Sequence, residues 1–218
     1  MKTTKNYIFA VLITLMSVSG CAAFQVGTDV EAGRKAFLIG NNEAALGYFR
    51  SAAQMDPDYV YYGMGLRQNI WSYVGRSEYA AGRLAQARQT LEKALVPSGD
   101  ENVLSSNGDQ DMARLYLGLT LARSGDQQRG LKEIEGGMRG IHDGIEYVRQ
   151  RFRFSFGRYW DPRREIRSSI EGDLAMLSGK NVDVQKLIGD GEWLGKTVEE
   201  EINLARRDER ENLLPGHE

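Results

Sequence analysis

Small and large apolar positions recur along the first two thirds of the chain with the same steps. From Gly33 the steps lead seven residues on to Gly40, then to Ala45, Phe49, Ala52 and Pro57. From Gly75 they give Gly82, Ala87, Leu91 and Ala94, with Pro97 arriving early. From Gly118 they give Gly125, Gly130, Ile134 and Gly137. Each anchor follows an apolar residue, namely Ala32, Val74 and Leu117. A small, a large and a small residue at steps of four and three share one face of a helix. The middle glycine of each copy suits the turn where a first helix stops. Each copy therefore predicts a helical hairpin, in which a small residue on the first helix admits the large residue of the second. Pro57 closes the first copy, because a helix does not run easily through proline.

The copies are 42 and 43 residues apart, measured between Gly40, Gly82 and Gly125. Pro97 to Gln110, rich in Ser, Gly, Asn and Asp, reads as a loop. Tyr59 to Arg67 is expected to lengthen the helix that carries Trp71. Beyond the repeats, Ile145, Val148, Phe152 and Phe156 predict a helix over 141–159. Asp161-Pro162 reads as a helix start and Gly179 as its end, with Ile166, Ile170, Leu174 and Leu177 as its stripe. Asp190-Gly191 reads as a turn before a last amphipathic helix of Trp193, Leu194, Val198, Ile202 and Ala205. Strand-type alternation is not evident. The reading is all-α: helical hairpins over 31–140 and a C-terminal helical cap with a polar tail over 141–218.

This pattern resembles the tetratricopeptide repeat, a two-helix unit of about 34 residues. The first copy, roughly 26–59, matches best. The second carries Trp71 four residues before Gly75, where the family often has tryptophan. In the third, Gly130 and Gly137 replace the usual alanines, and the spacing is longer than the family's. The resemblance implies a stack of hairpins capped at its end. It also implies a concave groove, lined by the first helices, that binds peptides. Tyr59, Tyr62, Trp71, Tyr73 and Tyr79 are then candidate partner-binding residues, with core packing as the alternative.

The first residues carry a different message. Lys2 and Lys5 precede a short apolar run from Ile8 to Met16, and small residues follow. That is the layout of a secretory signal peptide, too short to span a membrane. Val18-Ser19-Gly20-Cys21 resembles the lipobox of bacterial lipoproteins. The resemblance implies cleavage after residue 20, lipidation of Cys21, and a tether over 21–30. With Ala22 next, it further implies an outer-membrane lipoprotein facing the periplasm of the bacterial cell envelope. Cys21 is the one cysteine in the chain, so an intramolecular disulfide is excluded.

Charge adds one asymmetry. The chain has 28 basic and 30 acidic residues, so a whole-chain basic footprint for nucleic acid is absent. Between Arg139 and Arg167, however, eight arginines face four acids, with Phe152, Phe154, Phe156, Tyr159 and Trp160 interleaved. Arg149, Arg151, Arg153 and Arg158 are candidates for an anionic partner. The alternative is a solvated helix face, or pairing with residues 190–218, which hold nine acids and four bases. Export argues against nucleic acid. Motifs of catalysis and metal binding are missing: no nucleophile elbow, Walker loop or His-Glu-x-x-His occurs. His142, near Asp143 and Glu146, lacks an arguable nucleophile. No catalytic, metal or cofactor residues are assigned. The expected function is a lipid-anchored scaffold binding another envelope protein. A structural subunit of a larger complex is the alternative, and a glycan hydrolase is a distant third.

Overall fold

Left-handed glycines and polar caps divide the first half of the chain into paired helices. The computed structural model describes residues 24–96 and 108–213; the signal-like segment, Cys21 and most of the Pro97–Gln110 loop lie outside these residues. Helix α1 (24–38) turns into α2 (Asn42–Met55), α3 (Ile70–Ala80) into α4 (Leu84–Ala94), and α5 (Gly108–Arg123) into α6 (Gln127–Arg151). All three turns are built alike. Gly40, Gly82 and Gly125 sit at φ of 78°, 75° and 94°. In each, the amide after the glycine donates five residues back: Asn41 to Ala36, Arg83 to Glu78 and Asp126 to Leu121. The glycine amide itself donates three residues back, so every turn is a Schellman motif.

The helix pairs interlock at the expected positions. A methyl group added to Gly33 would lie 2.7 Å from the Phe49 ring, and one on Gly75 2.6 Å from Leu91 Cγ. On Gly118 it would lie 2.5 Å from the Ile134 backbone nitrogen. In the third pair a methyl group on Gly130 or Gly137 would lie 2.7 and 2.5 Å from the backbone nitrogens of Ala122 and Leu115. Alanine does not fit there, so the glycines of the third copy reflect a closer helix approach. Neighbouring pairs touch through the Phe49–Tyr73 ring stack (4.8 Å) and the Arg50–Glu78 and Arg129–Glu92 ion pairs.

Four expectations are corrected. Tyr59–Arg67 does not lengthen a helix; β1 (Val60–Gly63) and β2 (Leu66–Asn69) form an antiparallel hairpin, with Tyr61 opposite Gln68. β-Branched and aromatic residues favour the strand, and Met64-Gly65 supplies the two positive φ angles of a tight hairpin turn. The helix expected from residue 141 is the continuation of α6, which runs unbroken across 140–141. The expected turn at Asp190-Gly191 is absent, because α8 (Val184–Leu213) passes straight through it. Gly191 and Gly195 instead let α8 press onto Leu119 and Tyr116 of α5. Helix α7 (Glu165–Leu177) starts three residues later than expected. Asp161 still accepts its first free amides, from Ile166 at 3.0 Å and Arg167 at 3.2 Å. The described chain is thus mostly helical with one two-stranded sheet.

Candidate functional site

Helix α8 covers the inner face formed by α1, α3 and α5. Its residues Leu187, Ile188, Leu194, Val198, Ile202 and Ala205 are buried at helical spacing. Following α8 forward, Gly191 meets Leu119, Gly195 meets Tyr116, Glu199 meets Arg76 and Arg34, and Asn203 meets Arg34. The helix therefore crosses the three pairs from the third to the first.

A buried ionic cluster sits at the middle of this crossing. Arg34, Arg76 and Glu199 each leave 1% of the side chain exposed. Glu199 Oε2 accepts from Arg34 Nε at 2.9 Å, and Oε1 accepts from Arg76 Nη1 at 2.8 Å and Gln68 Nε2 at 2.7 Å. Arg34 also donates to the Tyr61 hydroxyl (2.6 Å), Glu31 (3.0 Å) and Asn203 (3.1 Å). Arg76 donates to the Gly195 carbonyl at 3.1 Å and lies within 5.3 Å of the rings of Phe37, Tyr73 and Tyr116. Burial opposes charge on Glu199, but the guanidiniums of Arg76 and Arg34 outweigh it and hold the carboxyl down at about 2. Burial and then the Glu199 charge push the Tyr73 hydroxyl far up, so it stays protonated; that hydroxyl has no hydrogen-bond partner among the described residues. Such a cluster fixes the register of α8, since shifting the helix by one residue would strand two buried cations.

The cluster escaped the sequence reading, although its signal was in the repeat. Arg34 and Arg76 occupy the same place, directly after the anchor glycines Gly33 and Gly75; in the third copy Leu119 stands there. A cation recurring at a position of the apolar inner face calls for a buried anion. Nothing in the local sequence picks Glu199 from its neighbours Glu200 and Glu201.

Two clefts flank α8. One of about 350 Å³ lies beside the glycine turns, lined among others by Phe37, Tyr79, Tyr116, Arg123, Glu192 and Lys196. The other, about 670 Å³, lies between α1 and the end of α8, with Glu31, Lys35, Arg206 and Arg210 on its walls.

The sequence-predicted residues scatter around this frame. Tyr73 and Tyr79 are both buried: the Tyr73 ring packs on Phe49 of α2 and Tyr61 of β1, and Tyr79 packs on Tyr116 of α5 and donates to Glu192 of α8 at 2.5 Å. Trp71 is half-buried, donates to the Pro57 carbonyl and carries the Lys93 ammonium over its ring at 3.2 Å. Tyr59 is half-buried, whereas Tyr62 on β1 is 62% exposed. Arg149 donates to the Trp160 carbonyl. Arg151, Arg153 and Arg158 are exposed and lie over the rings of Phe152, Phe154 and Tyr159. Acids of α8 do not pair with these four arginines among the described residues. His142 lies 3.5 Å from Asp143 and 3.4 Å from Glu171, on an exposed face. No helix among the described residues is long and apolar enough to cross a membrane. No family model matches the chain, and no curated protein or solved structure matches it.

Proposed function

We propose that the protein is a lipid-anchored scaffold of the bacterial envelope, in which a TPR-like stack presents a surface to another protein. The observation that supports this reading most is the threefold repetition of one interlock and one turn, with an inner face shaped to hold a helix. That face holds α8 of the same chain, so the groove tyrosines Tyr73 and Tyr79 serve the core. Partner capture then falls to the surfaces beside α8, of which the cleft around Phe37, Arg123 and Lys196 is the more apolar, with charged margins. No enzymatic role is proposed.

The occupied groove also favours a second reading, a structural subunit that braces a complex through its ends. A photo-reactive amino acid placed at Leu38, at Lys196 and at Tyr62 separates the two in living cells. A discrete protein adduct at Leu38 or Lys196 supports capture at the cleft. An adduct at Tyr62 alone, away from the cleft, supports bracing. Adducts at none of the three would sink both.

A further inference from the structure

Between Glu146 and Asp161 the chain carries no carboxylate, and four of its residues there are arginine. Three of these, Arg151, Arg153 and Arg158, are exposed and have no ion pair among the described residues. Phe154, between them, is 84% exposed. The Arg153 guanidinium lies 4.5 Å from the Phe154 ring centre, and that of Arg158 4.6 Å from the Tyr159 ring centre. The segment is held from beneath. Phe152 stacks on Phe156 at 4.5 Å, and Trp160 is buried with its indole N–H on the Met64 carbonyl at 2.8 Å. A 3-10 turn, Phe156–Tyr159, leads into it. The arginines and Phe154 are thus presented on a firm base.

Their place in the fold matters as much. The turns at Gly40 and Gly82 lie side by side, as the Asn42 bond to the Ala80 carbonyl and the Arg83–Glu43 ion pair show. Arg123, at the third turn, lies over Tyr79 beside them. Helices α1, α3 and α5 therefore begin at the opposite end, and α6 returns there. At 1.5 Å per residue, residue 24 and Arg151 both lie more than about 20 Å from the glycine turns. The end where the chain enters at residue 24 is the end that carries the arginine–phenylalanine rim.

We propose that Arg151, Arg153, Phe154 and Arg158 form a docking surface for a bilayer rich in anionic phospholipid. Guanidiniums bind headgroup phosphates in bidentate fashion, and an exposed phenylalanine beside them inserts at the acyl boundary. The orientation rests on the lipid-anchor reading: lipid on Cys21 would bring this end to the membrane, and the rim would hold the body upright on it.

The test uses the full chain as it matures, mixed with vesicles of phosphatidylcholine alone or with added phosphatidylglycerol. Amide hydrogen exchange over 152–158 is read by mass spectrometry. Exchange is expected to slow on phosphatidylglycerol vesicles only. The slowing should fade in high salt and in the combined variant Arg151→Gln, Arg153→Gln, Arg158→Gln, whose unchanged thermal midpoint shows that it folds. Equal exchange on both vesicle types overturns the proposal. So does slowing that survives the triple variant, or slowing that needs an added membrane protein. If the chain floats with neither neutral nor anionic vesicles, the anchor reading and the rim both fail. If it floats with anionic vesicles alone, the anchor reading fails and the rim stands, and the triple variant should then weaken the vesicle partition constant about a hundredfold.

Discussion

Glu199 is the residue on which the inner face depends most. Replacing it by Gln keeps the shape but leaves Arg34 and Arg76 buried with little counter-charge. Breaking a buried pair in this way costs about 3–5 kcal/mol. For a chain of this size that lowers the thermal midpoint by roughly 10 °C. Replacing Arg34, Arg76 and Glu199 together by Met should recover most of the loss, which a calorimetric comparison of the two variants would check. The same carboxyl gives an acid limb to stability. Its pKa is about 2 when folded against 4.5 ordinarily, so its contribution is complete above pH 4.5 and is lost as pH falls toward 2. That span corresponds to about 3 kcal/mol. Asp173 works the other way. Burial and a hydrogen bond with Asp190 raise its pKa to about 6, against the pull of Lys186. Its penalty is absent below pH 3.8 and complete above pH 6, so stability should climb as pH falls from about 6 toward 4. Melting curves from pH 3 to 8 should therefore peak near pH 4, and Asp173→Asn should flatten the upper limb. A peak at neutral pH would rule this assignment out.

At the scale of the element, the glycine interlocks decide how closely helices approach. Gly118→Ala would set a methyl group 2.5 Å from a backbone nitrogen of α6, which cannot step aside. We expect a loss of about 3 kcal/mol. Gly47→Ala, in the middle of α2 with nothing within 4 Å, should instead gain about 0.5–1 kcal/mol. Urea titrations of both variants beside wild type measure the two directions. A silent Gly118→Ala would mean that the third pair is looser than described. The hairpins were legible in the sequence because spacing alone states them: an anchor glycine, a turn glycine and a large apolar residue at fixed steps. The β-hairpin was not, because its signal is only Val60-Tyr61-Tyr62 before Gly63 and Gly65, shorter than the helical pattern around it. Gly191 misled for a related reason. A glycine that marks a turn and a glycine that admits a neighbouring helix look identical until the neighbour is known.

For the whole molecule, the sequence supplied the parts but not which part fills the groove. The last helix is amphipathic in the ordinary way, and no local feature states that its partner face begins 165 residues earlier, at Arg34. The proposed lipid anchor at Cys21 is tested separately. Cys21→Ser should move the protein from the membrane fraction to the soluble one, and the mass of the wild-type N-terminus should include acyl chains. Unchanged fractionation would remove the anchor from the reading. Because α8 is made after α1, α3 and α5, their shared face stays open while the intervening chain is synthesised. Two guanidiniums and the rings of Tyr73, Tyr79 and Tyr116 stay uncovered for that interval. Contacts so distant along the chain form slowly. A chain stopped before Val184 would hold this face open permanently. It should be a substrate for chaperones and proteases, and in concentrated solution it should pair with any amphipathic helix that offers a carboxylate at the right turn.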